Sequence, residues 1–538
     1  MPVSTLRYIL HVSPAIAAIA AIAFSTAAKA AENRESHSSP AIAQVTSVSQ
    51  LSDVQPTDWA YQALESLVDR YGCIAGYPDG TYRGNRAMTR YEFAAGVNAC
   101  LDRLLILLND GNEGITEADL ATLRRLQDEF QDELATLRGR VDALEARTAE
   151  VEANQFSTTT KLVGEVIFNV SQAFGEDRAL NRLQRDRGIQ PTGVEEVTAF
   201  ADRIRLNLDT SFTGRDTLRL RLQANTIENL NLVTGTSESR LPYDGNNGND
   251  IILNQALYRL PIGDRLNLAV GTLGAGLVDV LDTTNPFMGN DGIATVSRFG
   301  ARNPMVHRGN EGTGIRLNYK LSDRVSIDGF YLVPTDSAPN PLPKNGLFDG
   351  AYSLGTQLNL KPIDPLRLSL TYLHSYSPGG KVNLVSGTGT DFSQSPFFDI
   401  DGKSVATSGD HFGLQANMML GDRASLGGWF GAIFSEAESG ENAGDNATAM
   451  NWSVNLAFPD LGGKGNLLGF VVGQPPHVTN SDFRVGDTAI EDRNSPWHLE
   501  AIYRIAVTDR ISITPGAYYV MNPEGDDRND NILVGVLR

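Results

Sequence analysis

Cysteine is almost absent: the 538 residues contain two, Cys73 and Cys100. That excludes a disulfide-stapled scaffold, and two thiols at this spacing do not make a zinc site. They suit either one disulfide in an oxidising compartment or two buried free thiols. Basic charge is also short. Lys and Arg total 45 against 64 Asp and Glu, giving a net charge of −19 and a pI near 4.8. Nucleic acid needs a basic face, so it is excluded as a partner. After the first thirty residues there is no apolar run of transmembrane-helix length. Catalytic signatures are missing too: there is no HExxH, no GxSxG and no P-loop. The seven histidines are scattered, and paired acids carry no weight in so acidic a chain. No enzyme, cofactor or metal centre is expected.

What is present begins with an export signal. Arg7 precedes an apolar stretch from Tyr8 to Phe24, and Ala28-Lys29-Ala30 forms a small-x-small cleavage site. This pattern predicts a secretory signal peptide rather than an anchor helix. Ala41-Ile42-Ala43 offers a second cut.

Three unlike segments follow a polar leader. From Gln50 to Leu104 the chain reads as a compact α-rich module, punctuated by the turn cluster "GYPDGTY". A capping-box start, Thr89 with Glu92, opens its last helix. Next, Leu123, Phe130, Leu137, Leu144 and Val151 recur every seven residues, with Leu134 and Val141 between them. That rhythm suits a left-handed coiled coil, and so an oligomer; a lone amphipathic helix is the alternative.

From about Phe156 the period changes to two. Ile204, Leu206 and Leu208 alternate with Arg205, Asn207 and Asp209. Leu366, Leu368, Leu370 and Tyr372 alternate with Arg367, Ser369 and Thr371. "GDRLNLAVG", "SDRVSIDGF", "DPLRLSLTY", "GDRASLGGW" and "TDRISITPG" each start in a short polar turn and run into such a strand. Long polar stretches separate many of them. Short turns alternating with long loops predict a mainly β protein, a transmembrane antiparallel β-barrel of about 16 strands. A soluble sandwich also alternates, but a segment this long would need several domains, and no linkers divide it.

If the leucines meet lipid, the polar set faces a lumen. Arg203, Arg205, Arg219 and Arg221 then fall on neighbouring strands, with Asp209 near Arg219 or Arg221. They form a basic ladder on one wall, or are simply hydrated lumen residues. Acidic residues still outnumber basic ones over the barrel segment, which favours cations if the acids line the constriction. The stretch from Gly276 to Gly314 is too long for a tight turn and carries Asp279, Asp282, Asp291, Arg298, Arg302 and Arg308. It is either a loop folded into the lumen, where Asp282, Arg298 and Arg302 would set selectivity, or a plain external loop.

Two resemblances organise these parts. "LSDVQPTDWAYQALESLVDRYGCIAGYPDGTYRGNRAMTRYEFAAGVNACLDRL" resembles an S-layer homology (SLH) domain, through Asp53-Val54, Trp59-Ala60, "GYPDGTY" and "TRYE". Gly84 departs from the proline more usual there. The resemblance implies binding to cell-wall polysaccharide attached to peptidoglycan, with Asp53, Trp59, Gly76, Asp79, Arg90 and Glu92 as candidates. An Arg fork suits an anionic sugar substituent. Trp59 is equally a core residue, and Arg90 equally a local salt-bridge partner. The remainder, most clearly "SRFGARNPMVHRGNEGTGIRLNYKLSDRVSIDGFYL", is similar to OprB-type porins in the version found in cyanobacterial outer membranes. That implies a trimer for passive diffusion, of sugars in the broad family and of inorganic ions, including iron, in the cyanobacterial branch. Such barrels usually end in an aromatic residue; this sequence ends "NILVGVLR", which puts barrel closure in question.

The expected division is signal peptide 1–30, polar leader 31–48, SLH domain 49–110, coiled-coil stalk 116–154 and porin barrel 156–538. The expected location is the outer membrane, with lipid around the barrel and the SLH domain in the periplasm. Three functions compete: a wall-anchored porin, a structural tether with little conductance, and a soluble wall-bound enzyme.

Overall fold

The computed structural model describes residues 159–538 and, before them, 43–44, 47–57 and scattered positions up to Tyr82. The signal peptide, the heptads, Cys73, Cys100 and most of the SLH helices lie outside the described residues. The chain divides into two compact units, one containing 28–151 and the other 152–538. In the first, Ala43–Gln44 pairs antiparallel with Ala75–Gly76. Leu51 and Val68 are buried there, with Val54, Tyr61 and Tyr82 packed against them.

The second unit is a closed antiparallel barrel of 16 spanning strands. In chain order these are β1 (Thr159–Phe174), β2 (Ala199–Ser211), β3 (Thr217–Ile227), β4 (Ile252–Ile262), β5 (Leu266–Ala275), β6 (Gly312–Ser322), β7 (Val325–Pro334) and β8 (Tyr352–Ile363). Then follow β9 (Leu366–Ser377), β10 (Thr407–Leu420), β11 (Ala424–Ala437), β12 (Asn446–Pro459), β13 (Leu467–Ser481), β14 (Trp497–Ala506), β15 (Pro515–Met521) and β16 (Ile532–Leu537). Each strand pairs with its sequence neighbours. β16 closes on β1 in the register Leu533↔Phe174 to Leu537↔Val170, so the ring is closed.

The side-chain alternation has the expected sense. Across β2 and β3, Leu206 faces Leu222 and Leu208 faces Leu220, while Arg205 faces Gln223, Asn207 faces Arg221 and Asp209 faces Arg219. Leu370 and Tyr372 are exposed on the outer surface of β9, and Ser369 and Thr371 are buried inside. In lipid every backbone polar group needs a partner, and a closed ring supplies one without edges. Tyr331, Phe348, Tyr352 and Tyr376 contact one another ring to ring toward the loop end of β7–β9, where an aromatic girdle meets the membrane interface.

All five repeated polar turns fall at one end of the barrel, joining β4–β5, β6–β7, β8–β9, β10–β11 and β14–β15. The β2–β3 turn shows why such turns hold. Asp216 is buried and accepts the Thr213 N–H at 2.7 Å, the Ser211 hydroxyl at 3.0 Å and the Tyr258 hydroxyl at 2.8 Å. One carboxylate therefore satisfies the turn's donors and fixes it to β4. The other end carries eight longer loops: L1 (175–198), L2 (228–251), L3 (276–311), L4 (335–351), L5 (378–406), L6 (438–445), L7 (482–496) and L8 (522–531).

The core is not between two sheets; it is inside the ring. Leu241 and Tyr243 of L2, with Met288 and Val296 of L3, pack on inward residues of β13–β16, including Val471, Ile502, Tyr518 and Val534. Leu384, Val385, Phe392 and Phe397 of L5 pack with Met305 of L3 and Ile433 of β11. Leu277, Val280 and Val306 of L3 pack on Leu257, Phe330, Leu332 and Leu373. The interior is therefore divided by loops whose apolar residues satisfy an apolar part of the wall.

Candidate functional site

L3 folds into the lumen. Its residues touch the inner wall on most sides of the ring. The Thr284 hydroxyl lies 2.6 Å from that of Ser369 on β9. Asn285 Nδ2 donates to Asn455 Oδ1 on β12 at 2.9 Å. Asn303 Nδ2 donates to the Phe430 carbonyl on β11 at 3.1 Å, and the Met305 carbonyl lies 2.7 Å from His411 Nδ1 on β10. Phe299 meets Trp429 and His498 edge to face. The wall makes room for this with glycine. A Cβ at Gly413 would stand 2.8 Å from Val306, and one at Gly469 would stand 2.6 Å from Met288.

Glu500 of β14 is buried, yet it is not a free charge in the lumen. It accepts the Val296 N–H at 2.6 Å and the Ser297 N–H at 3.3 Å, and it also holds the Ser297 hydroxyl. Nothing local in "WHLEAIYRIA" marks that role, because the donors lie some two hundred residues away. The glycines at 413, 431, 469 and 516 were the readable trace, since a glycine in a strand often marks a close approach.

The ladder residues come together on one wall. Arg219 grips Asp209 with two hydrogen bonds of 2.7 and 2.8 Å. Arg203, only 2% exposed, meets Glu165 at 2.8 Å. Arg205 and Arg221 have neutral partners instead: Gln223 Oε1 at 2.6 Å and Asn207 Oδ1 at 2.8 Å. The wall continues with Arg259, 3.5 Å from Asp279 of L3, and Arg316, 2.7 Å from Asp328. Six guanidinium groups thus share one side, and two of them bond only to amides.

Asp282, Arg298 and Arg302 stand on L3 rather than on that wall. Asp282 helps line a polar cavity of about 280 Å³ with Thr284, Lys320, Ser326, Asn359 and Ser369. Arg298 is largely buried and ties loops together. Its Nη2 donates to the Ser386 carbonyl at 2.8 Å, its Nε to Thr388 Oγ1 at 3.1 Å, and its N–H to the Arg240 carbonyl at 2.8 Å. Arg302 is paired with Asp291 within L3, and Arg538 Nη1 donates to the Asp291 carbonyl at 2.8 Å.

In the N-terminal unit, Asp53 Oδ1 accepts the Tyr82 N–H at 2.5 Å, and Gly76 sits in the two-stranded pairing with Ala43. Trp59, Asp79, Arg90 and Glu92 lie outside the described residues. No three His, Cys, Asp or Glu side chains among the described residues are placed to hold a metal ion.

Comparison with known proteins places these parts. The S-layer homology domain model matches residues 50–94. An uncharacterized protein of Synechocystis sp. is 40% identical over 514 residues, covering 91% of this chain and 89% of that protein. Outer membrane protein SlpA of Deinococcus radiodurans is 36% identical over 154 residues, which is 28% of this chain and 12% of SlpA. OprB of Pseudomonas putida superposes with a TM-score of 0.47 at 15% identity, covering 72% of this chain and 95% of that one. The porin family it matches is one of channels, so the chain is not an enzyme, and its place is the outer membrane. The model of the carbohydrate-selective porin, OprB family, matches residues 117–538, and the chain belongs to that family.

Proposed function

We propose that this protein is a passive-diffusion porin for small hydrophilic solutes and inorganic ions, held to the peptidoglycan-linked wall polymer by its SLH domain. The observation that carries it is the ring of 16 strands with L3 folded inside, facing a wall of arginines. Solutes cross between L3 and that wall. Because Arg205 and Arg221 lack carboxylate partners, the field there attracts anions despite the acidic composition. Sugars and iron species fall within the same reading as permeants. Planar-bilayer recordings test it: stepwise conductance supports the channel, and a silent, correctly folded protein contradicts it.

The SLH domain lies on the periplasmic side in this reading, since the short-turn end of the barrel carries both the start of β1 and the end of β16. A helical stalk over 116–154 reaches on the order of 55 Å at about 1.5 Å per residue. The heptads imply association, and a homotrimer brings three wall-binding modules together, which raises a weak single-site grip. The anionic wall polymer meets Arg90, with Asp53, Trp59, Gly76, Asp79 and Glu92 shaping the site.

A second reading has one observation in its favour. The apolar packing of L2, L3 and L5 inside the ring fills much of the lumen. A barrel filled this way serves as a membrane anchor for a wall tether, with little conductance. Silence in the bilayer together with intact binding to peptidoglycan sacculi would favour it.

A further inference from the structure

Four outer loops meet through carboxyl groups that have no cationic partner among the described residues. Glu238 of L2 and Glu524 of L8 are 1% and 0% exposed. The Glu524 N–H donates to Glu238 Oε2 at 2.7 Å, and the Thr236 hydroxyl donates to the same oxygen at 3.1 Å. The Asp391 N–H of L5 donates to Glu524 Oε2 at 2.7 Å. Asp492 of L7 accepts the Thr390 hydroxyl of L5 at 2.8 Å and the Val478 N–H at 2.6 Å. Glu238 Oε1, Glu524 Oε1 and Asp492 Oδ1 are all buried with no hydrogen-bond partner. Asp391 sits at the exposed rim, with Asn181 Nδ2 of L1 at 3.2 Å.

The surrounding charges are engaged elsewhere. Arg182 faces Asp186 and Glu491. Arg185 donates to Asn529, Arg528 to Asp526 and Asp186, and Arg240 to Asp244. Arg493 pairs with Asp527, and His477 points its Nδ1 at the Pro475 carbonyl. The backbone at the centre of the junction is strained. Glu524 has φ +57° and Asn522 φ +49°, in the left-handed region that non-glycine residues avoid. Gly525, at φ +59°, lets L8 close on L7; a Cβ there would stand 2.5 Å from that of Asp492. Ionised carboxylates buried this way, with orphaned oxygens and like charges beside them, are far more costly than neutral carboxyls.

We infer that Glu238, Glu524 and Asp492 form a proton-operated latch that clamps L2, L5, L7 and L8 together over the pore mouth when protonated and releases them when ionised. The inference rests on the channel reading for its effect on flow. The loops it clamps lead to the constriction: Arg240 of L2 and Ser386 and Thr388 of L5 bond directly to Arg298 of L3. Burial first, then the neighbouring acids, raises the carboxyls of Glu524 and Asp492, and burial raises that of Glu238 to about 7. The sign follows. The latched state binds more protons than the released one, so its advantage is complete below the ordinary carboxylate range and is lost as pH rises through the raised values. Each proton lost shifts the released-to-latched ratio by about tenfold per pH unit within that window.

The test compares the reconstituted full-length protein at about pH 5.5 and about pH 8.5, below and above the value near 7 of Glu238, with two readouts. The first is single-channel conductance. The second is trypsin nicking at Arg493 in L7, normalised to a linear peptide substrate. Wild type should show steady conductance and slow nicking at the acid pH, and fluctuating conductance and fast nicking at the alkaline pH. E238Q and E524Q should hold the acid behaviour at both, while E441Q in L6 should behave as wild type. Wild-type nicking that does not change with pH would overturn the latch, and that measurement needs no variant to fold. A pH response that survives E238Q and E524Q, or that appears only when calcium is added, would also overturn it. If no conductance appears at any pH, the channel reading fails, while the nicking result still decides the latch.

Discussion

Arg219 clamps Asp209 across the β2–β3 pair through two hydrogen bonds, and the next two arginines along the wall, Arg205 and Arg221, bond only to Gln223 and Asn207. Charge is therefore cancelled at the Arg219 rung and left standing at the next two. R205A with R221A should shift the reversal potential in a salt gradient toward cations. D209N should shift it toward anions, because it frees Arg219. A channel whose selectivity ignores both changes would not run along this wall.

The position of L3 depends on small residues in the wall. Gly413 lies against Val306, and Gly431 lies against Asn303, where a Cβ would stand 2.7 Å from Asn303 Oδ1. G413V or G431V should push L3 out of place. Overpacking of this kind costs about 1–3 kcal/mol. The expected outcome is a lower melting temperature and a larger, noisier conductance. Unchanged conductance in a folded G413V variant would place the constriction elsewhere.

The outer face is lipid-facing, and that too is measurable. Leu370 is exposed at the middle of β9. An arginine near the bilayer midplane of a barrel costs about 2–4 kcal/mol. L370R should lower barrel stability in lipid by about that much, with urea unfolding in vesicles as the readout, whereas S322R, at the end of β6 beside a short turn, should be close to neutral.

Much of this plan was legible in the sequence. Period-two alternation gave the strands and their faces, and the five Asp-centred turns marked one end of the barrel. Both signals are local, so composition and spacing carry them. The hairpin also puts Asp209 near Arg219 or Arg221 at the level of sequence, and the register selects Arg219. The length and charge of L3 showed that it was no tight turn, but not which side of the wall it took. That depends on Glu500, Asn303 and Asn455, whose partners are far along the chain. The loop junction was not legible at all. Glu238, Asp492 and Glu524 look like ordinary surface acids until the fold buries them. Arg298 was expected as a lumen residue; on L3, its N–H and guanidinium hold L2 and L5, contacts the sequence does not show.

The wall-binding module makes a separate prediction. R90A and E92A should lower the retention of the protein on purified peptidoglycan sacculi while leaving conductance unchanged, since the module and the barrel are distinct units. D53A should act similarly through loss of the Tyr82 contact. Retention unaffected by all three would move the polymer site off the motif.

The central claim is that a solute path runs between L3 and the arginine wall. Planar-bilayer conductance of the detergent-purified protein, with reversal potential in a potassium chloride gradient, tests it most directly. The account predicts discrete conductance steps with a potential shifted toward chloride and abolished by R205A with R221A. Folded protein that inserts but never conducts, or that favours potassium with or without those arginines, would contradict it.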